Sequence, residues 1–429
     1  MGSAGGSGLL SVLFALNMSP LETPIENPPQ LTAGVELLGL THEAFIERYA
    51  GLIRIGRWGG REGAMEAYRR LFRKGDLAAA GLKVGTVELP PVTEVLREES
   101  SEGEVVKFLT RIKRDVHRQN ISAHLPDDLT IESVLIPMIG TSKERTYTLC
   151  VSSQVGCAMG CGFCETAQMG LIRSLTAGEI VSQWFHAAHT IGIRPKNLVF
   201  MGMGEPMDNY DHVMQAVAVL KDHNGPHVAL SSITISTVGR IDGIRRMAEQ
   251  IKKPGWHRLQ LALSLNASND TVRDSIMPIN RKWNIAELRS ELENWPKFAG
   301  NKLCIEYVLI PGVNDSVQHL DELAEFMMHL RGTEPGGVAG LNPGKHRGIL
   351  NLIPYNPRRN SPWPAPEESH VIWFLQGLID RGVFAKRRRT KGRQMMGACG
   401  QLGSEHIRQR RLVTPTVSAG GVERAAAPA

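Results

Sequence analysis

Cys157-Ala158-Met159-Gly160-Cys161-Gly162-Phe163-Cys164 is the stretch from which the rest of the chain is read. Three cysteines spaced C-x3-C-x2-C put three thiolates on one loop, within reach of a single inorganic centre. Structural zinc sites take four ligands, usually in two pairs, and ferredoxin clusters take four cysteines. The nearest further cysteine is Cys150 and no histidine lies close by, so the loop offers no obvious fourth ligand. Three thiolates on a [4Fe–4S] cluster leave one iron open to a small molecule. A zinc loop or a chance spacing is the plain alternative, and the missing fourth ligand weighs against it.

With Phe163 directly before the third cysteine, the spacing resembles the radical SAM signature. The resemblance implies that S-adenosylmethionine (SAM) takes the open iron through its amino and carboxylate groups. One-electron cleavage of its sulfonium would then give a 5′-deoxyadenosyl radical, so the cofactors carry the hard chemistry and the protein places them.

Composition sets the frame. The 429 residues suffice for one large α/β domain with an accessory part, and 42% hydrophobic content allows a sizeable core. A net charge of +6 is a mild basic bias that suits a nucleic-acid partner. Six cysteines, three of them clustered, read as metal-binding and catalytic thiols of a reducing compartment rather than as a disulfide framework. Residues 8–18 are apolar, yet no Lys or Arg precedes them, and no apolar run reaches the roughly 20 residues that span a bilayer. The expectation is a cytoplasmic protein without a membrane segment, with Met18 a candidate start.

Residues 1–35 are rich in Gly, Ser and Pro and are expected to lack fixed structure, as is the tail 403–429. Residues 36–125 form a predicted helical accessory domain: Ala44, Phe45, Tyr49, Leu52 and Ile53 share one helical face, and Ala67, Tyr68, Leu71 and Phe72 another. The helical pattern is read from Thr41 to Arg118. It carries Arg61, Arg69, Arg70, Arg73, Lys74, Lys107, Arg111, Lys113 and Arg114, either a phosphate-contacting face or ordinary solvated charge.

From about Ile131 the period changes. Six short apolar runs, 147–152, 197–201, 232–236, 259–264, 303–310 and 349–354, alternate with helical patterns and predict βα units on a parallel sheet. Among the helices are 177–191, opened by a Thr176–Glu179 capping box, then 316–330 and 367–380. Six such units over 126–402 predict an α/β fold, an incomplete (β/α)6 TIM-like barrel. Barrel chemistry sits at the C-terminal ends of the strands, and the cysteine loop follows the first of them.

Other stretches carry chemistry. Phe200-Met-Gly-Met-Gly204-Glu205-Pro206 ends the second strand; its glycines let backbone approach a ligand, and Glu205 suits the SAM ammonium. Ser236, Ser264, Asn266 and Asn356 end later strands and suit ribose, adenine and carboxylate, although each alone is more often a cap or turn residue. Cys399, in Gly397-Ala-Cys-Gly-Gln-Leu402, follows a run at 386–393 with six basic residues in eight. The cations should favour its thiolate, and the run itself suggests a polyanionic substrate. Cys150 lies on the first strand, Cys304 reads as core, and Glu132 is either a base or the polar face of a strand.

Taken together these residues resemble the RlmN/Cfr family of radical SAM rRNA adenine methyltransferases. The likeness runs from about Arg61 to Leu402 and rests on TLCVSSQVGCAMGCGFC, GMGEP, ISTVG, LALSLNA, EYVLIPGVND, LIPYNP and ACGQL. It implies a partial radical SAM barrel with a helical accessory domain, acting on adenine, usually at carbon 2, of 23S rRNA, with tRNA as a second candidate. Carried over by position, Cys157, Cys161 and Cys164 would ligate the cluster. Gly204, Glu205, Ser236, Ser264, Leu265, Asn266 and Asn356 would contact SAM. Cys399 would carry the methyl group, Cys150 would resolve the adduct through a transient disulfide, and Glu132 would accept the ring proton. Two SAM molecules per turnover, a one-electron donor such as flavodoxin or ferredoxin, and a monomer are implied.

The chain departs from that family's pattern in Glu165-Thr166, where Ser-Thr is usual, and in Asn266, where His is usual. It also has Arg393-Gln-Met-Met396 where an acidic stretch is usual, and an insertion at 333–348. Carbon-8 methylation is the alternative within the family. A radical SAM enzyme with a non-RNA substrate would need neither Cys399 nor Cys150, and a zinc-stabilised RNA-binding module would need no SAM motifs.

Overall fold

The computed structural model describes residues 36–51, 54–55, 58–77, 89–114, 128–140, 144–298, 301, 303–330 and 348–403. The expectations for 1–35, for Leu52 and Ile53, for 333–347 and for 404–429 fall outside these residues.

The first part of the chain runs α1 (His42–Tyr49), β1 (Arg54–Ile55), β2 (Trp58–Gly59), α2 (Gly60–Lys74), β3 (Val92–Ser100), β4 (Gly103–Lys113), β5 (Asp128–Ile139) and β6 (Arg145–Cys150). The cysteine loop is framed by β7 (Gln154–Gly156), α3 (Glu165–Gln168) and β8 (Leu171–Ser174). Then come α4 (Ala177–Phe185), β9 (Asn197–Phe200), α5 (Tyr210–Leu220), β10 (Ile233–Thr237), α6 (Ile241–Ile251), β11 (Gln260–Ser264), α7 (Asp270–Ile276) and α8 (Ile285–Glu293). The last elements are β12 (Leu303–Leu309), α9 (Val317–His329), β13 (Gly348–Pro354), α10 (Glu368–Asp380) and β14 (Ala385–Arg387).

Ten strands make one sheet in the order β14-β13-β12-β11-β10-β9-β6-β5-β4-β3. From β6 to β14 every pairing is parallel, and β3 to β6 pair antiparallel. Among the described residues the sheet has two open ends, β14 and β3, so the barrel is incomplete. The central strands have both faces covered and are accordingly apolar: Leu198, Ile233, Ile235, Leu261, Ile305 and Leu309 are fully buried. Each such side chain contributes about 1.5–3 kcal/mol by leaving water. Helix α6 shows the matching stripe, with Ile241, Ile244, Met247 and Ile251 against the sheet. The Thr176–Glu179 capping box opens α4, and one π turn carries that helix on to Thr190.

All six predicted strands are present, as β6 and β9 to β13. Among the described residues of 41–118 the helical reading holds for α1 and α2, whose Phe45, Tyr49, Tyr68, Leu71 and Phe72 are buried in the same core as the sheet. Residues 92–113 are instead a β-hairpin, β3–β4, that extends the sheet. Val105, Val106 and Phe108 are buried on both faces of β4, so its apolar run lacks the alternation that marks a one-sided strand. Helix α2 is fastened to the loop after α5: Arg69 donates to Asn224 Oδ1 at 2.9 Å, and Arg73 to the His223 carbonyl at 2.7 Å. Those two cations of the basic face are thus engaged in packing.

Candidate active site

Strand β6 delivers the chain to a tight turn at Gly156, where φ is +75° and a Cβ would lie 1.8 Å from the Gly170 carbonyl oxygen; only glycine fits. The cysteine loop then packs as an apolar cluster of its own, with Cys157, Cys161, Phe163, Ala267, Ile276, Met277, Ile310 and Tyr355. Its backbone is held from several sides. Cys157 N–H donates to Gly170 O at 2.9 Å and Gly162 N–H to Ile276 O at 2.9 Å, while the buried Arg358 donates through Nε to Gly162 O at 2.8 Å.

The three thiols line one cleft at the C-terminal ends of β9 to β13. Gly204, Glu205, Ser236, Ser264, Asn266 and Cys399 line it too. Burial pushes the Cys157, Cys161 and Cys164 thiols up, and their mutual repulsion adds to this for Cys157 and Cys161. Three crowded thiols, Cys157 and Cys161 buried and Cys164 half-buried, are a donor set that a cationic iron cluster satisfies. Among the described residues no three His, Cys, Asp or Glu side chains converge tightly enough for a single metal ion; ligands of a cubane stand further apart.

Glu205 is buried, and burial raises its carboxyl to about 7. The Val238 and Met207 N–H groups donate to it at 2.9 and 3.1 Å and oppose that rise. Gly204 has φ +101°, and a Cβ there would meet the Gln154 side chain at 2.6 Å. Ser236 and Ser264 hydroxyls lie 3.4 Å apart on adjacent strands. Asn266, at φ +57°, uses Oδ1 to accept from Val308 N–H at 3.0 Å, so part of its carboxamide shapes the rim. Leu265 is buried outside the lining; its carbonyl accepts from Arg273 Nε at 3.0 Å. Arg273, buried across the rim, also donates to Val238 O and Asn280 Oδ1, and the sequence reading did not single it out.

Cys399 rides on a strap, residues 393–403, whose Cys399 and Gly400 line the cleft. Asn356 lies in an adjoining recess beside Cys399, where its Nδ2 donates to the Cys399 carbonyl at 3.3 Å and its Oδ1 accepts from Arg393 at 3.2 Å. Glu132 and Cys150 lie outside the cleft lining. Glu132, on β5, is paired with Lys107 of β4 at 2.8 Å and accepts the Gly403 N–H at 3.2 Å. Cys150, at the end of β6, is buried, and that burial pushes its thiol up to about 12.

All six cysteines are free thiols, so the transient disulfide expected between Cys150 and Cys399 is not formed in this structure. Two expectations are corrected here. Cys304 is not inert core: its thiol donates to Glu306 at 3.2 Å and accepts from Asn351 at 2.9 Å. The basic run is mostly engaged internally rather than free to hold phosphates. Arg387 pairs with Glu368, Arg388 with Glu306 at 3.6 Å, and Lys391 with Glu102 at 2.7 Å, leaving Lys386 and Arg389 exposed. Glu306 and Arg388 line the cleft and were not anticipated. A glutamate inside the apolar run Leu303-Cys-Ile-Glu-Tyr-Val was the available signal.

Comparison with known proteins agrees with this geometry. The Radical SAM superfamily pattern matches residues 151–327. The probable dual-specificity RNA methyltransferase RlmN 1 of Protochlamydia amoebophila is 37% identical, over 85% of this chain and 94% of that protein. The dual-specificity RNA methyltransferase RlmN of Rhodospirillum rubrum is 34% identical, over 96% and 91%. A crystal structure of a radical SAM methyltransferase from Sphaerobacter thermophilus superposes with a TM-score of 0.66 at 33% identity, covering 85% of this chain and 98% of that one. The barrel, its cysteine loop and these relatives together place the chain in the RlmN family of radical SAM, SAM-dependent RNA methyltransferases.

Proposed function

We propose that the chain methylates carbon 2 of an adenine in 23S rRNA, with tRNA as a second substrate, through an S-methyl intermediate on Cys399 and with two SAM molecules per turnover. The observation that carries this reading is Cys399 itself. It belongs to no ligand motif, yet it lines the same cleft as Cys157, Cys161 and Cys164. When bound there, the cluster and SAM supply a methyl group and a 5′-deoxyadenosyl radical, with the electron from a flavodoxin- or ferredoxin-like donor. The dual specificity in the relatives' names supports a second RNA substrate.

The protein's own residues then have separate tasks. Carbon 2 of adenine is electron-poor and cannot attack a methyl sulfonium, whereas a thiolate can, so Cys399 takes the methyl group first. Cys157, Cys161 and Cys164 hold the cluster. Glu205 accepts a hydrogen bond from the SAM amino group, and Ser236, Ser264, Asn266, Asn356 and the Leu265 backbone surround the rest of the molecule. Glu132 takes the ring proton, and the Cys150 thiolate attacks the Cys399 sulfur: the sulfur–carbon bond to the product breaks as a Cys150–Cys399 disulfide forms, which a thiol reductant must reduce before the next turnover. The adenine leaves its stack to reach the cleft.

The test supplies SAM with a deuterated methyl group to anaerobic, cluster-loaded enzyme and protein-free rRNA, followed by mass spectrometry of the digested RNA. Methyladenosine keeping two of the three deuteriums, at the chromatographic position of the carbon-2 isomer, is expected. A product with all three deuteriums would rule out the carrier mechanism, and elution as the carbon-8 isomer would rule out the target atom.

Glu205 adds a pH dependence. Burial raises its carboxyl to about 7, and the ionised form is the stronger acceptor for the SAM amino group. SAM affinity is therefore expected to rise about tenfold between pH 6 and 8, as the carboxylate fraction does, and to level off above. Glu205→Gln should bind more weakly, with no such rise. Isothermal titration of the loaded enzyme decides it, and a flat wild-type profile would remove Glu205 from this role. In the ligand-free chain the sign reverses. A carboxyl raised from 4.5 to about 7 favours folding most below pH 4.5, and that contribution is lost as pH rises through 7.

A further inference from the structure

The residue after the third cluster cysteine is an acid, Glu165, buried to 1% exposure. A carboxylate in that position is costly unless it is paired. Here it is held by Arg359, whose backbone N–H donates to Glu165 Oε2 at 3.1 Å and whose Nη1 lies 3.4 Å from Oε1. The same Nη1 donates to Gly403 O at 3.0 Å. Glu165 N–H donates to Gly400 O at 2.7 Å, and the Thr166 hydroxyl donates to Leu402 O. The two residues that follow Cys164, with one guanidinium, thus hold three carbonyls of the strap that carries Cys399. Cys164 and Cys399 line one cleft.

We propose that Glu165 and Arg359 are positioning residues: a buried ion pair that latches the Cys399 strap onto the cysteine loop and sets how closely radical formation is coupled to use of the Cys399 methyl group. The coupling half of this proposal rests on the function proposed above. The latch itself does not. Neither side chain needs to touch substrate; each acts through the position of residues 399–403.

The test uses cluster-loaded wild type, Glu165→Ser, Arg359→Gln, the double variant and Arg359→Lys, with iron and sulfide content as the control for folding. Iodoacetamide labelling of Cys399, mapped by peptide mass spectrometry, reads the latch without turnover. Loss of either partner is expected to speed labelling about tenfold by local opening of the strap, with no further gain in the double variant. Arg359→Lys keeps the charge but not the fork that spans Glu165 and Gly403, so it should fall in between. In turnover, the ratio of 5′-deoxyadenosine released to RNA methylated is expected to rise severalfold in the same variants, which a general loss of folded enzyme would not produce. Unchanged labelling at normal iron content in both single variants overturns the latch, and unchanged ratios with faster labelling overturn the coupling. If wild type methylates no RNA, the proposed function fails while labelling still decides the latch.

Discussion

A Cys399→Ala chain is expected to lose RNA methylation by at least about a thousandfold while still cleaving SAM to 5′-deoxyadenosine, as removal of a covalent nucleophile does when binding groups remain. The backbone of the strap is bonded independently of the sulfur. Asn356 Nδ2 holds the Cys399 carbonyl, Glu165 N–H holds Gly400 O, and Gln401 Nε2 donates to Pro357 O at 3.0 Å. Truncation at Cβ therefore removes one half-buried sulfur and leaves the strap in place. The cluster cysteines are fixed by different contacts, through Gly170, Ile276 and Arg358, so the cleavage half of the site should survive. Methyladenosine in the RNA digest and deoxyadenosine in the supernatant measure the two halves separately. Methylation near the wild-type rate in this variant would mean that another group carries the methyl, and would end the carrier reading.

The particular residues show what could be read from the chain alone. The barrel strands were legible because a parallel strand covered on both faces must be a short, continuous apolar run, and each run was bounded by turn residues. The cysteine loop and Glu205 were legible because their chemistry is local in sequence. Three things were not. The hairpin β3–β4 hides its period because Val105, Val106 and Phe108 are covered on both sides by elements distant in sequence, and their spacing satisfies a helix as well. The basic run 386–393 looks like a free cationic surface until Glu102, Glu306 and Glu368 arrive from 102, 306 and 368 to meet it. The Glu165–Arg359 contact joins positions 194 residues apart, and nothing in either neighbourhood announces the other. Local signals were readable, while charge pairing across the fold was not.

Lys107→Met is expected to cost about 3–5 kcal/mol of stability, because it leaves the Glu132 carboxylate buried without its partner. Lys107 and Glu132 are 5% and 6% exposed and 2.8 Å apart. The Lys107 ammonium also donates to the Met395 and Met396 carbonyls at 3.3 and 3.1 Å, and Glu132 accepts the Gly403 N–H. One buried pair on neighbouring strands thus fastens the Cys399 strap on both sides of the thiol. Replacing both partners, with Lys107→Met and Glu132→Leu together, should restore a large part of the loss, since two apolar side chains leave no buried charge unpaired. Methylation should not return with stability, because the group proposed to take the ring proton is gone. Anaerobic urea unfolding of the two variants, set beside their methylation rates, separates the roles. A single variant as stable as wild type would show that the pair does not hold the strap. A double variant that methylates normally would show that Glu132 is a structural anion and that the ring proton leaves by another route.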